Sequence, residues 1–203
     1  MKLYYAETLN PRKACVVAHH LRLPVEFIRV DMARGEHKKP AFLKLNPNGR
    51  VPVLQEGEHT LWESTAIMCR LSDVAEADLW PHDERQIEVM RWLSWDMQHF
   101  TRHIGTLYFE HLIKPALGWG EPDVAATQAA TEQFKVSAKV LEAHLAQTAR
   151  LVGTGWTVAD FATAVALPYA ERIHLPLGDF PAIRRWHDAL CDLPAWREPF
   201  PPT

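Results

Sequence analysis

The chain has 203 residues, 47% of them hydrophobic and 23% charged, with a formal net charge of −3, which allows one large or two small globular domains. Residues 1–78 sum to +1 (11 Lys and Arg against 10 Asp and Glu) and the remainder to −4 (11 against 15), so neither half has the basic surplus of a nucleic-acid binder and no charge block reads as a tail. Three cysteines without a CxxC predict a reducing cytoplasm, MKLYYAETLN is too short and polar for a signal peptide, and no run of 18 apolar residues could span a membrane.

Lys2 to Ala6 (KLYYA) predicts a strand. Asn10-Pro11 reads as a helix start, Asn10 as N-cap and Pro11 at the first helical position, for a helix over Arg12–Leu23 that stops before Pro24. Val25–Asp31 alternates as a strand with Phe27 toward the core. The following polar stretch reads as an irregular loop with a short helical turn at Phe42-Leu43. Asn48-Gly49 supplies a turn before Val51-Pro52-Val53-Leu54. Proline lacks a ladder donor and belongs at strand starts, edges or bulges. Val51–Gln55 and His59–Trp62 predict a hairpin around Glu56-Gly57, and Ser64–Ser72 resumes a helical pattern. The β-α-β opening implies a parallel strand pair.

Residues 77–83 read as a linker between a first domain (1–76) and an all-helical domain (84–203). Val89, Leu93, Met97, Phe100, Ile104 and Leu107 mark one face of a long helix that must break near Pro115 and the 118–122 loop. A second helix spans Asp123–Arg150, with Phe134, Leu141 and Leu145 on one side. Thr157-x-x-Asp160 reads as a capping box with an acid at its third helical position, and Trp156 and Phe161 can form a hydrophobic staple around it. A last helix spans Pro181–Leu193. The eight tryptophans suit a well-packed helical core.

An α/β domain with a Val51-Pro52 strand, and Glu63-Ser64 after eight intervening residues beyond Leu54, joined to a helical domain with TVADF, resembles the glutathione transferase family over essentially the whole chain. The motifs that carry the resemblance are GEHKKPAFLKLNPNGRVPVL and LWESTAI, with TVADF adding to them from the other domain. It implies a thioredoxin-like N-terminal domain followed by a C-terminal helical bundle. It also implies a cis proline at Pro52 that leaves the Val51 backbone free to pair with the cysteine of glutathione, a small-scale strand addition. Glu63 then offers an acceptor to the γ-glutamyl ammonium, while Ser64 and a helix N-terminus suit its carboxylate. Arg50, His37 and Lys38 fit the positions of cations for the glycine carboxylate. Each of these has a plainer alternative: a proline ending an edge strand, a helix cap, a solvated basic loop.

TLNPRK resembles the Thr/Ser-x-Asn loop of the bacterial nu-like and the theta- and phi-like branches. Thr8 is therefore the expected thiolate donor and Asn10 a second one, with Tyr5 as a competitor and helix capping as the alternative role of Thr8. A free thiol near pKa ~8.5 is mostly protonated at neutral pH, which is why such a donor is needed. Cys15 lies more than a turn into the first helix and reads as core rather than nucleophile. Met97, Phe100, Thr101, Ile104 and Tyr108 are candidates for the wall of a second-substrate site between the domains, or equally for core packing or dimer contacts. The implied activity is conjugation of glutathione, a co-substrate rather than a resident cofactor, to a small hydrophobic electrophile. Glutathione-dependent disulfide or peroxide reduction and a non-catalytic binding role are alternatives. No metal, nucleic acid or membrane partner is expected. The family implies a homodimer, to whose surface Met68, Arg70 and Arg91 could belong.

Overall fold

The computed structural model describes residues 1–202. They form two compact units, Met1–His82 together with the segment from Cys191 onward, and Asp83–Leu190. The predicted boundary gave the whole C-terminus to the helical domain. Instead, Arg12 donates a hydrogen bond to the Trp196 carbonyl, its guanidinium lies 4.9 Å over the Trp196 ring, and Tyr5 stacks on Phe200 at 5.8 Å.

The first unit runs β1 (Lys2–Tyr5), α1 (Leu9–His20), β2 (Glu26–Arg29), a 3-10 turn (Glu36–Lys38), α2 (Pro40–Leu43), β3 (Val53–Glu56), β4 (His59–Trp62) and α3 (Ser64–Val74). Its sheet has the order β2-β1-β3-β4, with β1 parallel to β2 and the other neighbours antiparallel. Alternation along the strands separates two faces. Tyr4 and Val53, paired across the ladder, join Val30 and Phe42 in one cluster. Leu3 and Leu54, also paired, belong to the other face, and both are fully buried, as are Ile67, Met68 and Leu71 of α3. Phe27 is half-buried, its ring stacked on His19 and edge-on to Tyr5.

Three boundaries differ from expectation. Thr8, not Asn10, is the N-cap of α1, with extended backbone (φ −133°, ψ 171°). Pro11 is then the third helical residue, still inside the first turn where a missing N–H costs nothing. The strand after the Asn-Gly turn begins at Val53, because Pro52 has no N–H to give the ladder. The hairpin closes through Gly57-Glu58, with Glu56 opposite His59 and Gly57 at φ 62°.

The helical unit contains α4 (Arg85–Trp95), α5 (Thr101–Tyr108), α6 (Lys114–Ala116), α7 (Val124–Leu145), α8 (Val158–Thr163) and α9 (Pro181–Cys191); α10 (Pro194–Arg197) follows in the first unit's C-terminal segment. Two π-helical turns, Asp96–Phe100 and Phe109–Ile113, link α4, α5 and α6 into one helical run. Val89, Leu93, Phe100, Ile104 and Leu107 line its buried face as predicted, but Asp96, not Met97, points inward at the first π turn. Asp123 caps α7 by accepting the Ala126 N–H at 2.9 Å. That helix stops five residues before the predicted Arg150. The Leu145 carbonyl accepts a hydrogen bond from the Arg185 guanidinium instead of continuing the helical ladder. Glu142 caps α9 in turn, taking the Ala182 and Ile183 N–H groups on its two carboxylate oxygens at 2.8 and 2.9 Å.

The start of α8 matches its sequence signature. The Thr157 N–H and hydroxyl both donate to Asp160 Oδ2 at 2.9 Å. Asp160 Oδ1 accepts the Leu151 N–H at 3.1 Å and the Trp186 indole N–H at 3.0 Å. Trp156 and Phe161 face each other at 6.3 Å as the staple. Burial pushes the Asp160 carboxyl's pKa up, opposed by these four donors.

Candidate active site

The strand register brings the functional segments together. Tyr4 lies opposite Val53, and Val53 opposite Trp62. Because β3 runs antiparallel to both neighbours, the end of β1, the start of β3 and the end of β4 share one edge of the sheet. The loop to Thr8, the Val51-Pro52 peptide and Glu63-Ser64 therefore all leave from that edge. Neighbouring strands are ~4.8 Å apart, so β1 and β4 flank β3 within roughly 10 Å, a span suited to an extended tripeptide. Both α1 and α3 begin at this edge. Two helix N-termini thus direct positive potential and unpaired N–H groups to one place, a setting that favours thiolate and carboxylate.

Each segment is held in an available state. The Thr8 side chain makes no capping hydrogen bond, so its hydroxyl is not spent on α1. The Val51–Pro52 peptide is cis, and among the described residues neither the N–H nor the C=O of Val51 has a backbone partner. Glu63 has φ 74° and ψ 116°, a backbone state that L-residues rarely adopt. Such strain costs on the order of 1–3 kcal/mol and clusters at functional sites. It turns the chain sharply from β4 into α3, where Ser64 is the first, buried residue.

Asn46, which the sequence reading passed over, organises the loop before β3. Its side chain is buried, donates to the Arg50 carbonyl at 2.7 Å, and accepts the Asn48 N–H at 3.0 Å. The Asn-Pro-Asn-Gly composition already signals such an Asx turn. Gly49 sits at φ 58°, and a Cβ there would lie 2.9 Å from the His37 carbonyl oxygen and 3.0 Å from Lys38 Nζ. This packs the 36–38 turn against the Arg50 loop. Gly49→Ala is expected to lower stability by about 1–3 kcal/mol through positive φ and steric conflict, and to weaken glutathione binding; an unchanged denaturation midpoint would refute the close approach.

His37 is one of the three expected cations of this loop. Burial first, then Lys38 and Arg50, lower its pKa, which favours the neutral ring. Its Nδ1 is buried with no hydrogen-bond partner among the described residues. Lys38 and Arg50 are the basic side chains beside it.

Other expectations are redirected. Tyr5 is buried between Phe27 and Phe200, and desolvation raises its pKa. Cys15 has no exposed surface and its thiol pKa is likewise raised by burial, while that of Cys69 is pushed up to about 12. Neither sulfur is a thiolate near neutrality. Thiol reagents at pH 7.5 should leave Cys15 and Cys69 unmodified in the folded protein; rapid alkylation of either, read by peptide mass, would contradict these environments.

Of the five second-substrate candidates, Phe100 and Ile104 are fully buried, and Phe100 packs on Trp95 at 5.5 Å and Phe134 at 5.6 Å. Tyr108 is nearly buried, edge-on to Tyr169 at 5.1 Å, and the Thr101 hydroxyl donates to Asp96. Only Met97 is well exposed, at 55%. Met68 is enclosed and cannot form part of a surface, Arg70 forks onto Glu56 at 2.9 and 3.0 Å, and Arg91 pairs with Glu88.

The family model described as glutathione S-transferase, N-terminal domain, matches residues 1–71, and that of the C-terminal domain matches residues 100–194. The chain belongs to the glutathione S-transferase family. Among curated relatives of this transferase-family chain, glutathione S-transferase 3 of Zea mays is 32% identical, over 98% of this chain and 95% of that protein. The disulfide-bond oxidoreductase YfcG of Escherichia coli (strain K12) is 25% identical over 95% and 91%. Among solved structures, glutathione transferase F7 from Populus trichocarpa superposes with a TM-score of 0.91 at 26% identity, covering 98% of this chain and 96% of that one. A glutathione S-transferase-I bound with lactoylglutathione superposes at 0.89, also at 26% identity, covering 98% and 97%. The thioredoxin-like and helical architecture expected of the family is thus present.

Proposed function

We propose that this chain is a glutathione transferase, conjugating the glutathione thiolate to a small hydrophobic electrophile. The common exit of Thr8, Val51-Pro52 and Glu63-Ser64 from one sheet edge, beneath two helix N-termini, carries the reading. The Val51 backbone pairs with the cysteinyl backbone of glutathione. Glu63 accepts the γ-glutamyl ammonium, Ser64 and the first N–H groups of α3 hold its carboxylate, and Lys38, Arg50 and His37 hold the glycine carboxylate. Thr8 donates its hydroxyl hydrogen to the cysteinyl sulfur, with Asn10 as a second donor, and the α1 N-terminus adds positive potential. The thiol proton leaves to solvent, the thiolate attacks the electrophilic carbon, and the carbon–sulfur bond forms as a leaving group departs. Met97, Thr101 and Tyr108 are the residues of the helical unit assigned to the electrophile.

Retention on immobilised glutathione, with turnover of an activated aryl halide, is the expected result. Failure of both would overturn the assignment. A second reading, glutathione-dependent disulfide or peroxide reduction at the same site, is favoured by the likeness to the E. coli disulfide-bond oxidoreductase. Turnover of a hydroxyethyl mixed disulfide exceeding that of the aryl halide would select it. A non-catalytic binder would retain glutathione and turn over neither.

The protein is expected to act as a cytoplasmic homodimer. Ile87 and Met90 support a dimer, exposed at 71 and 47% along α4. Light scattering should give twice the 23.2 kDa chain mass, and a monomer at micromolar concentration would refute it.

A further inference from the structure

Glu7 lies one residue before Thr8, where a negative charge works against a thiolate. The turn from β1 into α1 closes through the Thr8 N–H and the Ala6 carbonyl at 2.7 Å, with Glu7 as its middle residue. The first turn of α1, Leu9-Asn10-Pro11-Arg12, carries no acid. Glu63 is assigned to the ammonium of glutathione, whereas Glu7 has no such task.

Arg29, the last residue of β2, answers the Glu7 charge. It lies opposite Tyr5, the last residue of β1, and its Nε donates to Glu7 Oε1 at 2.6 Å. The sheet order fixes where this draws the carboxylate. β2 flanks β1 on the side opposite β3, whereas Val51-Pro52 leads into β3 and Glu63-Ser64 follows β4. Glu7 is therefore held on the far side of β1 from those segments. The Arg29 hydrogen bond, more than any other influence, keeps the Glu7 carboxyl below its usual pKa, against burial, so it is a full charge at neutral pH. That charge is felt deeper in the unit. Burial first, then Glu7 and Cys15, raise the pKa of the Tyr5 hydroxyl, and Arg29 lowers it. Inside α1, burial raises the pKa of the Cys15 thiol, Arg12 lowers it and Glu7 raises it again.

On the transferase reading of this edge, which it presupposes, we infer that Arg29 is a positioning residue: it holds the Glu7 carboxylate away from the cysteinyl sulfur of glutathione and cancels its charge, leaving Thr8 and the α1 N-terminus to act on the thiolate unopposed. The two side chains are 53 and 38% exposed, and pairs of that kind add little to stability. Their effect is on the local field instead. Consecutive Cα atoms are ~3.8 Å apart, so a sulfur held by the Thr8 hydroxyl lies within roughly 10 Å of Glu7. A unit charge at about that distance near a protein surface moves a neighbour's ionisation by roughly half to one pH unit.

The ultraviolet absorbance of the glutathione thiolate bound to full-length protein is followed against pH. Arg29→Met removes the charge and keeps most of the side-chain length. The bound thiol pKa should rise by roughly half to one pH unit, and kcat/KM well below that pKa should fall about 3–10-fold. Above the thiol pKa the two rates should converge, and Tm should not move. Arg29→Lys should keep the parent pKa, and Glu7→Gln should keep or lower it. Glu7→Gln combined with Arg29→Met should return to the parent value, because the charge to be cancelled is gone. A parent thiol pKa no lower than that of free glutathione would overturn the transferase reading and this inference with it. A lowered parent pKa that is unchanged in Arg29→Met would overturn the inference alone. So would a rise that persists in the double variant, since that marks a mechanical tie rather than a cancelled charge.

Discussion

Thr8→Val should lower turnover at saturating glutathione by on the order of 10²–10³-fold, the typical loss when one preorganised donor to a developing anion is removed. The expectation is selective because of the N-cap geometry. Thr8 occupies the cap position of α1 with extended backbone and makes no side-chain capping bond. Removing its hydroxyl therefore takes nothing from the helix, and Tm should stay within a degree or two of the parent. Valine also keeps the β-branched shape suited to that backbone. Glutathione affinity should be nearly unchanged, because the residues proposed to hold the peptide ends are untouched. Thr8→Ser restores the donor and should restore most of the rate. The thiol pKa of bound glutathione, read from the acid limb of the kcat/KM profile, should climb in Thr8→Val toward the free value near ~8.5. A parent-like rate and profile in Thr8→Val, with a collapse in Asn10→Ala, would transfer the role to Asn10.

Asp160→Ala should cause the largest loss of stability, about 3–5 kcal/mol. It leaves the Leu151, Thr157 and Trp186 N–H groups buried without an acceptor, at ~1–3 kcal/mol each before relaxation. Against a total stability of roughly 5–15 kcal/mol this is a severe defect. The site is costly to disturb because one side chain joins three separate parts of the chain: the Leu151 backbone, the Thr157 backbone at the α8 start and the Trp186 indole of α9. Asp160→Asn keeps an acceptor oxygen but places an amide donor among donors, and should recover only part of the loss. The urea midpoint of each variant measures the difference. An Asp160→Ala loss below ~1 kcal/mol would show that these donors find other partners.

The features read correctly from sequence are those whose physics acts over a few residues. Val51-Pro52, Glu63-Ser64 and the Thr157–Asp160 box depend on side chains close along the chain, and each appears where its spacing places it. The α1 start shows the limit of such reading. Asn10-Pro11 is a good local start signal, but proline is tolerated anywhere in the first turn, so Thr8 could take the cap two residues earlier. Periodicity correctly grouped Phe100 and Ile104 on one face of the long helix. It could not distinguish a face packed against aromatic neighbours from one lining a cavity. The positive φ of Glu63 had no local signal at all, since nothing in its residue type favours it. Partners remote in sequence, such as Arg12 with Trp196, lie beyond any window.

The return of the C-terminal segment to the first unit has a consequence for biosynthesis. A ribosome makes residues 1–82 first, and these carry the residues proposed to hold glutathione. At that stage the buried Arg12 guanidinium lacks the Trp196 carbonyl and ring, and Tyr5 lacks Phe200. An N-terminal domain generally folds as it emerges, but the partners of Arg12 and Tyr5 are made more than 100 positions after residue 82. In chain order the helical unit is an insertion within the first, whose contact set is complete only when the segment from Cys191 onward has been made.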